Sequence, residues 1–98
     1  MISTIKKFFG MESVDIASLI SAGAKVIDVR TPGEYASGHF KGSVNIPLDS
    51  ISSKMKSLDK SKTYVLVCRS GMRSSSATKM LKAAGFSNAY NGGSWTNI

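Results

Sequence analysis

Cysteine is almost missing from this chain of 98 residues: there is one, Cys68. A single thiol excludes an intrachain disulfide and a cysteine-rich zinc site. Histidine is as scarce, so any cysteine–histidine pair would have to use His39. No apolar run approaches the roughly 20 residues that span a bilayer, and the opening MISTIKKFFG has no apolar core long enough for a secretory signal. A lone thiol without secretory features fits a reducing compartment, and a cytoplasmic location is expected. Acidic residues number 6 against 13 Lys and Arg, which leaves a net charge of +7. That field favours anionic partners. The lysines are dispersed, however, with little aromatic interleaving, so no stacking platform for single-stranded nucleic acid is visible and no nucleic-acid partner is expected. No repeat or low-complexity segment occurs.

Hydrophobic residues make up 42% and charged residues 19% of the chain, ordinary globular proportions for one modest domain. A tail over residues 1–11 and a single domain over 12–98 are expected. Ser13 has the position of a helix N-cap, with Asp15 in the first turn, Ile16, Leu19 and Ile20 on one apolar face, and Gly23 as the stop. Lys25–Val29 reads as a buried strand. Thr31, Pro32 and Glu34 have the spacing of a capping box with proline at the first helical position, and that helix should stop at Gly38. A second short strand is predicted over Ser43–Ile46, and a helix over Asp49–Leu58 from Ile51, Met55 and Leu58. Tyr64–Val67 is the clearest strand and runs into Cys68. A helix follows from about Arg73 to Ala84, with Ala77, Met80, Leu81 and Ala84 as its apolar stripe and Gly85 beyond its end. A last strand is expected over Ser87–Tyr90, after which Gly92-Gly93 turns the chain toward Trp95. Strands alternating with helices predict an α/β fold: a mostly parallel sheet with helices on both faces.

In such sheets ligands bind beyond the carboxyl ends of the strands, often at a helix N-terminus. Cys68 has that address, being followed by Arg69-Ser70-Gly71-Met72-Arg73 and then a helix. Successive N–H groups of so short a loop can curl into an anion-binding nest. Two guanidinium groups and the helix dipole add positive potential, which favours thiolate over thiol and moves Cys68 below the roughly 8.5 of a free cysteine. A buried cysteine is often only a small hydrophobe, but Arg-Ser-Gly-x-Arg-Ser does little for packing and much for binding negative charge.

Three separated motifs resemble the rhodanese (thiosulfate sulfurtransferase) family in its single-domain form, from about Ser13 to Trp95. They are Val26-Ile27-Asp28-Val29-Arg30 leading to Glu34-Tyr35 and Gly38-His39-Phe40-Lys41-Gly42-Ser43-Val44-Asn45-Ile46-Pro47; the Cys68–Ser74 loop; and Gly85-Phe86 through Gly92-Gly93. The resemblance implies a rhodanese-like fold and transfer of sulfane sulfur through a Cys68 persulfide, from thiosulfate or a related anionic donor to cyanide, a thiol or a partner protein. It implies no metal and no organic cofactor. Arg69, Ser70, Gly71, Met72 and Arg73 would bind the donor; Asp28, Arg30 and Ser74 would support them or serve structure.

Related phosphatases on this fold carry five residues between Cys and Arg, where this chain has four, so sulfur transfer is favoured over phosphoryl transfer. Mercaptopyruvate sulfurtransferases tend to a neutral loop, whereas two arginines suit thiosulfate. The alternative function is a persulfide carrier that docks on a partner and has little free turnover. His39 is read as shaping its own loop, Glu34 as a cap, Tyr35 as packing, and Met72 as shielding the loop or lining an apolar way in for the acceptor. Trp95 lies nearer the glycine pair than the family pattern has it.

Overall fold

The computed structural model describes residues 15–98. Helix α1 (Ile16–Ser21) is capped by Asp15, whose carboxylate accepts the Ser18 N–H. The expected cap, Ser13, lies outside the described residues, and Asp15 is the N-cap rather than a first-turn residue. After Gly23, at φ +107, strand β1 (Lys25–Asp28) leads to helix α2 (Pro32–Ala36). Both halves of the predicted capping box are present: Thr31 Oγ1 accepts the Glu34 N–H, and the Glu34 carboxylate accepts the Thr31 N–H.

Strand β2 is shorter than predicted, Val44–Asn45, although parallel bonding continues through Ile46 and Leu48 onto the carbonyls of Asp28 and Val29. The helix predicted over Asp49–Leu58 is broken. Helix α3 holds only Ile51–Lys54, with tight 3-10 turns at Leu48–Ser50 and Met55–Ser57. Its apolar face is as expected, Ile51 being buried with Met55 and Leu58 packed beside it. The serines explain the break: the hydroxyls of Ser53 and Ser57 donate to carbonyls three residues back and compete with helical bonding.

Strand β3 (Tyr64–Cys68) is wholly buried, helix α4 spans Met72–Ala83, and strand β4 spans Ala89–Ser94. The four strands lie in the order β2-β1-β3-β4, all pairs parallel. Ile27, Leu66 and Cys68 face α3 and α4, where Ala77, Leu81 and Phe86 complete the larger core. Val26, Val65 and Val67 face the other way, against Ile16, Leu19, Ile20 and Trp95. Helices thus cover both faces, as predicted.

The last strand differs most from expectation. Gly92-Gly93 is not a turn but the middle of β4, and the register slips there: Leu66 pairs with Asn91, whereas Val67 pairs with Gly93. Gly92 is the extra residue of a bulge. It must be glycine, because a Cβ there would stand 2.7 Å from Val65 Cγ1 and 2.9 Å from Val67 Cγ1. Among the described residues no helix is long and apolar enough to cross a membrane.

Candidate active site

The order of connection switches sides between the parallel strands β1 and β3: β1 leads outward to β2, and β3 leads to β4 on the other side. A crevice at the carboxyl ends of these strands is where ligands bind in open α/β sheets. Cys68 ends β3 with its side chain on the α4 face. Gly71, at φ +102, then bends the chain into the first turn of α4, a conformation that suits glycine.

The bend wraps hydrogen-bond donors around the sulfur. Gly71 N–H donates to Cys68 Sγ at 2.9 Å and Ser74 N–H at 3.4 Å, with Ser74 Oγ 3.5 Å away. Burial pushes the thiol up. The Ser74 hydroxyl and the N–H groups of Ser74, Gly71 and Ser70 together outweigh it and hold Cys68 below its ordinary value. With the folded value depressed, the thiolate stabilises the folded chain above the unfolded thiol pKa. That contribution is lost as pH falls through the folded value. The ultraviolet absorbance of the thiolate, unambiguous with one cysteine, should therefore titrate at lower pH in the folded chain than in the same chain in denaturant. An equal or higher folded midpoint would show that the donors do not reach the sulfur.

Cys68 is fully buried at the base of its loop. Arg69, Ser70 and Met72 are the exposed residues of that loop, Met72 being 77% exposed. The two arginines differ. Arg69 makes no ion pair among the described residues and lines a hollow of about 440 Å³ with Glu34, Ser37 and Trp95. Arg73 is tied instead to Glu34 by a two-pronged contact, Nη1 to Oε1 at 2.7 Å and Nη2 to Oε2 at 3.0 Å. That guanidinium holds the Glu34 carboxyl down at about 2, so the pair persists across the working pH range and is lost only as pH falls through that value. Glu34 was expected only as a cap; it also anchors the far end of the loop to α2. A second hollow, about 660 Å³, is lined by Arg73 with Pro32, Pro47 and Leu48.

Asp28 and Arg30 support the site from β1. Arg30 Nε and Nη2 clasp the Asp28 carboxylate at 2.8–3.0 Å, with both residues buried. Arg30 also donates to the carbonyls of Glu34 and Gly38 and lies over the Trp95 ring, 4.6 Å from its centroid. These contacts tie α2 and Trp95 to the end of β1. His39 stacks on Tyr35 and bonds its carbonyl, far from any role as a base for Cys68. Asn91, which the sequence reading passed over, reaches the loop from β4: Ser74 Oγ donates to its Oδ1 at 2.6 Å, and its Nδ2 donates to the Gly71 carbonyl at 3.2 Å.

A buried, donor-wrapped thiol at the strand-to-helix junction of a parallel sheet defines a cysteine-loop α/β protein. Residues 13–97 match the rhodanese-like domain family, and the chain belongs to it. Among its relatives, the Bacillus subtilis protein YtwF is 48% identical over 61 residues, covering 62% of this chain and 59% of that protein. The thiosulfate sulfurtransferase GlpE of Pseudomonas entomophila is 36% identical, with 74% of this chain and 67% of that protein covered. A rhodanese structure with anions from E. coli superimposes at a TM-score of 0.72 with 31% identity, covering 78% of this chain and 92% of that one.

Proposed function

We propose that the protein is a rhodanese-type sulfurtransferase in which Cys68 carries the sulfur as a persulfide, with thiosulfate as a donor. The Cys68 thiolate attacks the outer sulfur of thiosulfate; a sulfur–sulfur bond forms, and sulfite leaves with the electron pair of the bond that breaks. Cyanide or a thiolate then attacks the outer sulfur of the persulfide and restores the Cys68 thiolate. The observation that carries this reading is the Gly71 N–H 2.9 Å from Cys68 Sγ, at the head of a loop of donors that suits an anionic sulfur. The name of the similar Pseudomonas GlpE supports thiosulfate as the donor. Incubation with thiosulfate should add one sulfur atom to the intact mass, and cyanide should remove it as thiocyanate. An unchanged mass would overturn the proposal. A stable adduct without thiocyanate formation would point to the carrier alternative.

Arg69, Ser70, Gly71, Met72 and Arg73 form the donor site in this reading, with unequal parts. Arg73 is engaged by Glu34, so Arg69 is the guanidinium at hand for the incoming dianion. A charge-assisted hydrogen bond contributes about 1.5 kcal/mol, roughly tenfold in affinity. Arg69→Ala should therefore raise the KM for thiosulfate about tenfold, changing kcat less and leaving the melting temperature alone. A KM at the parent value would remove Arg69 from the site.

A further inference from the structure

Asn91 sits in a bulge that re-aims it. With Gly92 as the extra residue of β4 and Gly93 at φ +78, the Asn91 side chain meets the Cys68 loop from behind. Its neighbours settle which amide atom faces which way. The Gly93 N–H can only donate, so Oδ1 accepts it, at 3.0 Å; the Gly71 carbonyl can only accept, so Nδ2 faces it. Oδ1 also takes the Ser74 hydroxyl at 2.6 Å, well inside the 3.5 Å from that hydroxyl to the sulfur. The hydroxyl has one proton to divide between the two, so the amide, the nearer acceptor, takes the larger share and the sulfur the smaller.

Gly71 needs this support. It has no side chain to pack, and its own N–H is the nearest donor to the sulfur. Its Cα side is backed closely by β4, where a Cβ on Gly71 would come within 3.3 Å of Gly93 Cα. The Ser75 N–H holds the Gly71 carbonyl from the helix at 3.0 Å, and Asn91 holds the same oxygen from the sheet.

We propose that Asn91 is a positioning residue for the reactive sulfur: from β4 it fixes the Gly71 carbonyl and the Ser74 hydroxyl, and through them the donors that face Cys68. The inference rests on the reading of Cys68 as the reacting thiol. Its readout is thiolate absorbance rather than turnover, so it stands or falls separately from sulfur transfer. Removing Asn91 alone has opposed effects, since it loosens Gly71 and also releases the Ser74 proton to the sulfur. Ser74→Ala removes the hydroxyl, and a further Asn91→Ala then reports on the Gly71 contact. The charged groups near this loop are Arg69 within it, Arg73 on α4 with Glu34 on α2, and the Asp28–Arg30 pair at the end of β1; all are the same in both chains.

The Cys68 titration midpoint in Ser74→Ala/Asn91→Ala should lie about half a pH unit above that of Ser74→Ala, a fraction of what losing a whole donor to a thiolate would give. A residue that only stabilises β4 would lower the melting temperature without moving this midpoint. An unchanged or lower midpoint overturns the proposal. Where the alanine pair does not fold, Asn91→Thr in the Ser74→Ala chain is compared by the same criterion. Its β-branched side chain suits a strand and is too short to reach Gly71.

Discussion

Cys68→Ser is expected to lower thiocyanate formation from thiosulfate and cyanide by at least about a thousandfold, the order of loss when a covalent nucleophile is removed. The substitution keeps the size of the side chain nearly unchanged and leaves an oxygen where the Gly71 and Ser74 N–H groups converge. The fold should therefore survive while the chemistry does not. A serine hydroxyl is not ionised by a few hydrogen bonds at neutral pH, and oxygen is a poor nucleophile toward sulfur. The intact mass should show no added sulfur after thiosulfate treatment. Retained turnover would mean that the reaction occurs elsewhere, and the proposed function would fall with it.

Arg30→Ala should have the largest effect on stability, about 3–5 kcal/mol, because it leaves the buried Asp28 carboxylate without its cation. For a domain of this size each kcal/mol is about 4–8 °C, so the melting temperature should fall by more than about 10 °C. The loss extends beyond the ion pair. Arg30 also ties the carbonyls of Glu34 and Gly38 to β1 and supports Trp95, so α2 and the Glu34–Arg73 anchor of the loop loosen with it. Arg30→Lys should not restore it, since one ammonium cannot replace a planar fork bonded on several sides. Removing both charges together, with Asp28→Leu and Arg30→Met, should cost less than Arg30→Ala alone, because no charge is then stranded. A small change on Arg30→Ala, read by thermal or denaturant unfolding, would show that Asp28 finds another partner or loses its charge without penalty.

Local signals carried furthest where a few neighbouring residues settle the matter. Thr31, Pro32 and Glu34 announce a capped helix and form one. The apolar run before Cys68 announces a strand, and the short loop after it leads into a helix as expected. Local reading failed where backbone preferences competed with side-chain bonding, as among the serines around α3. It failed again at Gly92-Gly93, because two glycines look the same in a turn and in a strand pressed against Val65 and Val67. Only the packing tells these apart.

The chain's own order of residues decided that one thiol stands at the end of an apolar strand, followed by Arg69-Ser70-Gly71-Met72-Arg73 and a helix. Those are properties of near neighbours, and near neighbours are fixed by covalent connection. The tertiary structure decided which cation is ion-paired. Arg73 meets Glu34 across 39 positions of chain and Asn91 meets Ser74 across 17, and no spacing in sequence foretells either. Such pairings arise when the sheet brings β1, β3 and β4 side by side, so they depend on where each segment returns in space.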